Sequence, residues 1–513
     1  VQKQTGRELA IEGELSLGLM PCCAISLGET RLSNPPGFEQ ASFARVESAR
    51  LGVQVFPLLT RQELLLDELE LVGLQVDLLR LEDGRANWEF ASDDSAEPAT
   101  DSDDSATDSE TGLSGLSISG IRIADARLSL RDIPAGTDIR IENLDLLTGT
   151  LEPGEPFEFD GSLRFIDGAS GTEADLVLAA DATLDDDNAR IELRDVDGSI
   201  SGSGEQTGSF ELELTTAAAV VDLSDAVQAD ASDVGLGLEL AGGELGADGQ
   251  MSVTASAPQL RFDGALALNK PQLALEVAAA ALPGGTAAGS LNMEQLGFDP
   301  DTGTIALRAL RGSLQLAEAD IDLTADGSLG TGATALAGDF QLAELSPREL
   351  LATLGEPLPE TADPTVMTRL AAKGDWQLRD DSLALDGLAV QLDDSSLTGK
   401  ISARNFDKPK LAFELAVDAL NLDRYLAPES ESAAEGQGAG RDQQEADLEG
   451  LRSLDLEGGL KVGALTVTNL LIEDLTARLT VRDGVIRLDP ATARLYDGTY
   501  SGSVTVDARK RCH

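Results

Sequence analysis

The sequence predicts a mainly β protein, built as a long antiparallel sheet with few short helices. Apolar and polar residues alternate along many segments, which is the period of a half-buried strand. Glycine, often as Asp-Gly or Thr-Gly, separates these segments and indicates hairpin turns. Helix signals are rare. At roughly 15 residues per strand and turn, the 513 residues would form about 25–30 strands.

The clearest strand pattern lies near the C-terminus. Apolar residues alternate with Thr and Arg from residue 475 to residue 482, and Asp483-Gly484 follows. This pair predicts a two-residue hairpin turn that sets Leu479 opposite Leu488. The apolar residues of both strands then lie on one face, so the turn and the pattern predict the same register.

Two other Asp-Gly pairs predict hairpins by the same reasoning. The pair in LEDGRANW would set Leu79 opposite Trp88. The pair in LYDGTY would set Leu495 opposite Tyr500. In both cases we expect one apolar face across the hairpin.

Two segments carry helix signals. Residues 346–354 begin with Ser as N-cap and Pro at the first helical position, and Gly355 follows, so we predict a short helix. Residues 420–426, LNLDRYL, predict a single short helical turn.

Two low-complexity segments divide the chain. Residues 91–112 are acidic and have no apolar periodicity, which is typical of disorder, and residues 427–449 read as a flexible linker. We therefore predict an N-terminal β region (1–90), a long repetitive β region (113–426) and a C-terminal β module (450–513).

Charge and histidine content exclude several function classes. The chain has 38 Lys and Arg against 91 Asp and Glu, a formal charge of −53, which argues against nucleic-acid binding. The single histidine is His513, so His-based triads and His-ligated zinc are close to excluded. No metal site and no cofactor are predicted.

Catalysis has one candidate motif. Asp301-Thr302-Gly303 resembles the loop of aspartic proteases, but that chemistry needs two such carboxylates and no second Asp-Thr-Gly occurs. We interpret it as a turn and predict that the protein is not an enzyme.

The apolar strand faces pose a packing problem, because two short helices cannot cover them. Two sheets could pack as sandwiches, the sheet could close into barrels, or it could curl into an open trough with a ligand against its lining. The alternation of apolar and polar residues does not distinguish among these three arrangements. The candidate lining residues are Leu79, Leu81, Trp88, Leu475, Ala477, Leu479, Val481, Ile486, Leu488, Leu495 and Tyr500.

Both ends of the chain resemble the AsmA family. The N-terminal motifs are TGRELAIEGELSL, LSNPPGF, FARVESARLGVQVFPLL and ELLLDELELVGLQVDLLRLEDGRANWEF, and the C-terminal block runs from LEGGLKVGALTV to YSGSVTVDAR. The resemblance implies a curled, U-shaped sheet with an elongated apolar groove. It also implies a bacterial inner-membrane protein with one N-terminal anchor helix upstream of this sequence and its bulk in the periplasm.

Three functions follow as hypotheses. The first is carriage of phospholipid acyl chains along the groove toward the outer membrane, in support of outer-membrane assembly. The second is a scaffold that helps to insert outer-membrane proteins by strand pairing at exposed edges. The third, an enzyme, has only the Asp-Thr-Gly motif in its favour.

Overall fold

The computed structural model describes residues 7–18, 23–38, 42–53, 66–89, 118–185, 189–224, 226–330, 334–427, 455–482, 484–496 and 498–507. These residues form 31 strands, one α-helix and three 3-10 turns, so the predicted mainly β fold is confirmed. The apolar groove stays a prediction. The chain divides into two compact units, 1–268 and 269–513. The predicted five-part division also stays a prediction, because residues 91–112 and 428–449 lie outside the described residues.

The first unit contains sixteen strands and one 3-10 turn, Gly243–Leu245, in its described part. The strands are β1 (Leu9–Ile11), β2 (Leu15–Gly18), β3 (Cys23–Leu27), β4 (Thr30–Ser33), β5 (Ser42–Val46), β6 (Ser48–Val53), β7 (Leu66–Val72), β8 (Gln75–Arg80), β9 (Ile121–Asp132), β10 (Thr137–Thr148), β11 (Pro156–Asp167), β12 (Thr172–Leu184), β13 (Arg190–Gly204), β14 (Gly208–Asp222), β15 (Gln228–Ala241) and β16 (Gln250–Phe262). The boundary between the units falls in β17 (Leu266–Asn269).

The second unit contains fourteen strands, the helix α1 (Pro347–Thr353), and 3-10 turns at Pro283–Gly285 and Leu422–Arg424 in its described part. The strands are β18 (Gln272–Ala278), β19 (Thr286–Asn292), β20 (Gln295–Asp299), β21 (Thr304–Leu316), β22 (Ala319–Leu329), β23 (Ala335–Leu345), β24 (Leu370–Arg379), β25 (Ser382–Leu392), β26 (Ser395–Arg404), β27 (Lys410–Asn421), β28 (Asp455–Val467), β29 (Leu470–Arg482), β30 (Val485–Leu495) and β31 (Gly498–Asp507).

Most neighbouring strands pair antiparallel with the next strand in sequence. In the first unit this ladder runs from β9 to β16, and in the second unit from β21 to β27 and from β28 to β31. Among the described residues, β1 with β4, β3 with β6, β5 with β8 and β19 with β21 pair antiparallel without being consecutive in sequence. The parallel pairs are β7 with β9, β8 with β9 and β27 with β28.

The first eight strands act as four long strands, each interrupted once near its middle. The same register continues across the interruption, since β4 pairs with β5 where β3 pairs with β6. Two of the interruptions lie side by side at Gly13 and Gly28, where a Cβ on Gly28 would lie 2.7 Å from the Cα of Gly13. This close backbone approach requires glycine and bends the two strands together.

Bulges with a left-handed residue other than glycine interrupt six of the longer strands. Their φ angles lie between 47° and 51°, and the residues are Asp125, Asn143, Asp195, Asp233, Ala309 and Asp474. Neighbouring carboxylates satisfy two of the freed amides: Asp125 N–H donates to Asp145 Oδ1 (3.0 Å) and Ala309 N–H donates to Asp326 Oδ1 (2.7 Å). Because a bulge adds a residue, the alternation changes phase within the strand, and this explains why the sequence has no fixed period.

The predicted C-terminal hairpin is confirmed in register. Leu479 lies opposite Leu488 and Val481 lies opposite Ile486 on β29 and β30. The turn residue Asp483 lies outside the described residues.

The second predicted hairpin is wrong in register. Leu495 lies opposite Gly498, and Tyr500 lies opposite Ala493 instead of Leu495. The reason is that Tyr496 takes the left-handed conformation, with φ 51°, so the turn begins one residue earlier than the Asp-Gly pair indicates.

The first predicted hairpin is also wrong in register. Arg80 bridges to Ala86 and Leu81 N–H donates to Arg85 O (2.9 Å), so Leu79 lies opposite Asn87 instead of Trp88. Gly84 supplies a φ of 85°, which closes a three-residue loop instead of a two-residue one. The one-residue shift exchanges the two faces of this segment.

The shift places a polar side chain in the interior. Asn87 is fully buried, its Nδ2 donates to Asp77 O (2.7 Å) and to Asn34 Oδ1 (3.0 Å), and its Oδ1 accepts from Leu79 N (2.8 Å). The buried guanidinium of Arg7 donates to Asn87 O, and burial lowers the pKa of Arg7. This network ties the start of the chain to the end of β8.

We expect Asn87→Ala to destabilise the first unit by about 2 kcal/mol or more, because it leaves buried backbone partners of β8 unpaired. The measurement is urea unfolding followed by Trp88 fluorescence in a Trp376→Phe background. Glu89→Ala, at an exposed neighbour, is the control. Equal stability of both variants would contradict this role for Asn87.

The predicted short helix is confirmed as α1. Ser346 is the N-cap and its side chain accepts from Glu349 N, and Gly355 follows the helix with φ 73°. The predicted turn in LNLDRYL is a 3-10 turn that begins at Leu422, directly after β27.

Candidate functional site

Strand pairing brings apolar residues of the second unit into rows on one face of β26–β30. We call this set the C-terminal apolar face. Its rows, in strand order, are Ala403, Leu411, Leu456, Val481 and Ile486; Ile401, Phe413, Gly458, Leu479 and Leu488; Gly399, Leu415, Leu460, Ala477 and Ala491; and Leu397, Val417, Val462 and Leu475. Directly paired residues point to the same side of a sheet, so these rows form one continuous apolar surface.

Six of the predicted lining residues lie on this face. Leu475, Ala477, Leu479 and Val481 come from β29, and Ile486 and Leu488 come from β30. The alternation in the sequence therefore identified six residues that share one face of these strands. Their contact with lipid stays a prediction.

The C-terminal apolar face is only partly covered. Its small residues are buried between larger neighbours, as for Val462 (5% exposed) and Ala477 (4% exposed), whereas Leu475, Leu479 and Leu488 stay half-buried. Among all described residues, the largest fully buried side chains are Arg7, Val366 and Asn87, two of them polar. A sealed β core would instead bury Leu and Phe fully.

The opposite face of the same strands is charged. Lys400 pairs with Glu414 at 3.2 Å, and Glu457 pairs with Arg478 and with Arg482, the latter at 3.2 Å. The two faces of this ladder therefore differ sharply in polarity. This contrast supplies matched control positions for experiments.

The first unit carries a similar surface, which we call the N-terminal apolar face. One row crosses six strands, from β11 to β16: Leu163, Leu176, Ile200, Leu212, Leu238 and Val253. Leu214 and Leu236, paired in the next row, are 41% and 38% exposed. These residues are not among the predicted lining residues, although the alternation in FELEL (residues 210–214) indicates an apolar face there.

The remaining predicted lining residues are placed less uniformly. Leu79 pairs with Arg131 of β9, whereas the apolar pair Leu78 and Leu130 points to the opposite side of the sheet. Leu81 follows β8 and is half-buried, and Trp88 lies 5.2 Å from the Arg80 guanidinium.

The two predicted residues of the last hairpin lie on different strands but the same side. Leu495 pairs with Ile472, and Tyr500, which is 44% exposed, pairs with Ala493. The structure does not bring Leu79 onto the same face as Leu78 and Leu130, and it leaves Leu495 and Tyr500 in separate rows.

A polar cluster lies where β24–β28 end, and we call it the Asp393 clasp. Asp393 is buried, and its carboxylate accepts from Met367 N (2.7 Å), Thr368 N (2.9 Å), Arg369 N (3.1 Å) and Tyr425 Oη (2.7 Å). Burial acts to raise the pKa of Asp393, but these hydrogen bonds outweigh it and lower the pKa to about 2. Burial and then the bond to Asp393 raise the pKa of Tyr425 to about 12.

The LDRYL segment supplies most of the other bonds of the clasp. Arg424 donates to Asp363 (2.7 Å) and to Asp394 (3.1 Å), and Asp423 accepts from the backbone of Thr468 (2.6 Å) and Asn469 (2.8 Å). From the sequence, this segment is expected to form only a helical turn. Its partners are 30 to 61 residues distant in sequence, so no local signal could identify them.

The one candidate catalytic motif of the sequence lies in a turn. Asp301-Thr302-Gly303 forms the turn between β20 and β21, where Asp301 N–H donates to Asp299 Oδ1 (2.9 Å). In the described ranges no group of three or more His, Cys, Asp or Glu residues is arranged to hold a metal. None of the helices among these residues is long and apolar enough to cross a membrane.

These features define a mainly β protein whose sheets present apolar faces that are only partly covered. The chain belongs to the AsmA family, whose family model matches residues 1–512. This is a non-enzymatic family of the bacterial envelope. No curated protein and no solved structure gives a significant match.

Proposed function

We propose that this protein carries phospholipid acyl chains along its apolar sheet faces, from the inner to the outer membrane, and so supports outer-membrane assembly. The observation that carries the proposal is the partial exposure of large apolar side chains along whole rows, among them Leu214, Leu236 and Leu479. Bare apolar surface of this kind is unfavourable in water, and an acyl chain gains about 0.8 kcal/mol for each methylene that it buries there.

The proposal needs no catalytic residue and no cofactor. Transfer of hydrocarbon out of water supplies the driving force, and lipid head groups would stay near the wet rim of the sheet. Membership of a bacterial envelope family supports an envelope location. As part of the same proposal, an N-terminal anchor holds the protein at the inner membrane and its bulk lies in the periplasm.

The test is the lipid content of the purified full chain. We expect native mass spectrometry to detect bound phospholipid, and solvent extraction followed by lipid analysis to identify phosphatidylethanolamine or phosphatidylglycerol. The protein is purified without detergent, so that lipid carried in detergent micelles does not contribute to the measurement. Recovery of no phospholipid by either method would contradict lipid carriage.

A scaffold for outer-membrane protein insertion is the second candidate. It is favoured by the edge at Gly498–Asp507, because within the described residues β31 pairs with β30 alone. Such an edge can accept a strand of another protein. A Pro substitution at Ser501 would block pairing; normal lipid transport together with failed barrel assembly would favour the scaffold.

A further inference from the structure

An aromatic ring on the C-terminal apolar face occupies the space that a side chain on the next strand would need. Phe413 of β27 lies beside Gly458 of β28. A Cβ on Gly458 would lie 2.5 Å from Phe413 Cγ and 2.6 Å from Cε1, and the three atoms nearest to it all belong to this ring. The φ of Gly458 is outside the left-handed region, so the backbone does not require glycine there.

The position of the ring follows from this missing side chain. Phe413 is in the row between Ile401 and Leu479, and Gly458 is buried. The ring therefore lies down against the backbone of β28 instead of standing away from the sheet. Any side chain at residue 458 would force the ring into another rotamer that projects from the face.

The first unit repeats the arrangement. A Cβ on Gly202 of β13 would lie 2.7 Å from Phe210 Cζ of β14, on the N-terminal apolar face. A Cβ on Gly202 would also collide with the backbone of β12, so close strand packing requires glycine there independently of the ring. Gly458 is the cleaner case, because the three atoms nearest to a Cβ there all belong to the Phe413 ring.

We propose that Gly458 and Phe413 together set the free height above the C-terminal apolar face and thereby control whether a phospholipid hydrocarbon chain can lie across β27–β29. Gly458 is a positioning residue and Phe413 is the group in contact with the chain. This inference rests on the proposed lipid carriage. It adds the position on the face, at Gly458 and Phe413, where access of the hydrocarbon chain is controlled.

The experiment compares Gly458→Ala with Gly459→Ala in the full chain. The two glycines are adjacent, but Gly459 points to the charged face and a Cβ there meets nothing within 4 Å. We load each protein from vesicles of phosphatidylethanolamine and phosphatidylglycerol and measure bound lipid by native mass spectrometry. We expect Gly458→Ala to bind roughly tenfold more weakly, the equivalent of losing contact with about two methylene groups, and Gly459→Ala to bind as the unaltered protein does.

A double variant distinguishes two causes of weaker lipid binding, the displaced ring of Phe413 and damage to strand β28. Phe413→Ala combined with Gly458→Ala removes the displaced ring, and we expect it to restore binding. A double variant as weak as Gly458→Ala would overturn the inference, because the loss would then come from the strand itself. Equal binding by Gly458→Ala and the unaltered protein would also overturn it and leave lipid carriage intact, whereas an unaltered protein without lipid would overturn both.

Discussion

A protein with Leu475→Glu and Leu479→Glu will retain little or no phospholipid after purification. Both side chains are half-buried on the C-terminal apolar face, in rows that cross β26–β29. An acyl chain laid over these positions would desolvate two carboxylates without supplying a partner. Such desolvation costs several kcal/mol, so we expect lipid retention to fall by roughly 100-fold or more.

The matched control carries the same charge on the other face. Thr476→Glu and Thr480→Glu alter the intervening residues of β29, which pair with Lys461 and Glu457 on the charged side. We expect this variant to retain lipid as the unaltered protein does, measured by native mass spectrometry and extraction. Equal lipid loss from both variants would indicate general destabilisation and would contradict a role for the apolar face.

Asp393→Ala should give the largest loss of stability in the second unit. The substitution leaves the amides of Met367 and Thr368 and the hydroxyl of Tyr425 without their shared acceptor in a buried site. We expect a loss of about 3 kcal/mol in the free energy of unfolding. Urea unfolding followed by Trp376 fluorescence in a Trp88→Phe background measures it, because Trp376 lies on β24 of the same unit.

Asp394→Ala is the control for the clasp. The Asp394 side chain is 72% exposed and makes surface ion pairs, which contribute little in water. We therefore expect a change of less than about 1 kcal/mol. An Asp393→Ala protein as stable as Asp394→Ala would contradict the clasp.

Acidification should weaken the clasp in a predictable direction. The pKa of Asp393 is lowered in the folded protein from its ordinary 3.8 to about 2. A lowered carboxyl pKa contributes stability that is present above about pH 4 and is lost as the pH falls toward 2. Between about pH 4 and pH 2 we expect the free energy of unfolding to fall by about 2 kcal/mol more in the unaltered protein than in Asp393→Asn. Urea unfolding at a series of pH values measures this, and the same pH dependence in both proteins would contradict the lowered pKa of Asp393.

The strand content and the C-terminal register could be predicted because they depend on local signals. Alternation and an Asp-Gly turn sufficed to set Leu479 opposite Leu488. The same reasoning failed at the other two hairpins, because the left-handed Tyr496 starts one turn a residue early and Gly84 closes a loop of three residues instead of two. A shift of one residue in the first hairpin paired Leu79 with the buried Asn87 instead of with Trp88.

The clasp and the pairing of Phe413 with Gly458 could not be predicted, for a different reason. Both depend on strands that are distant in sequence and meet only after the sheet has formed, as β27 and β28 do across a parallel pairing. Six long strands also contain bulges that reset the alternation, so even the face of a given residue is uncertain from sequence alone.

Site-specific photo-crosslinking in living cells tests the central claim most directly. A benzoylphenylalanine at residue 479 would project from the C-terminal apolar face, and one at residue 480 would project from the charged face of the same strand. We predict phospholipid adducts, detected by mass spectrometry of the purified protein, at residue 479 and none at residue 480. Adducts at neither position, or equally at both, would contradict the account that the apolar face is open to acyl chains.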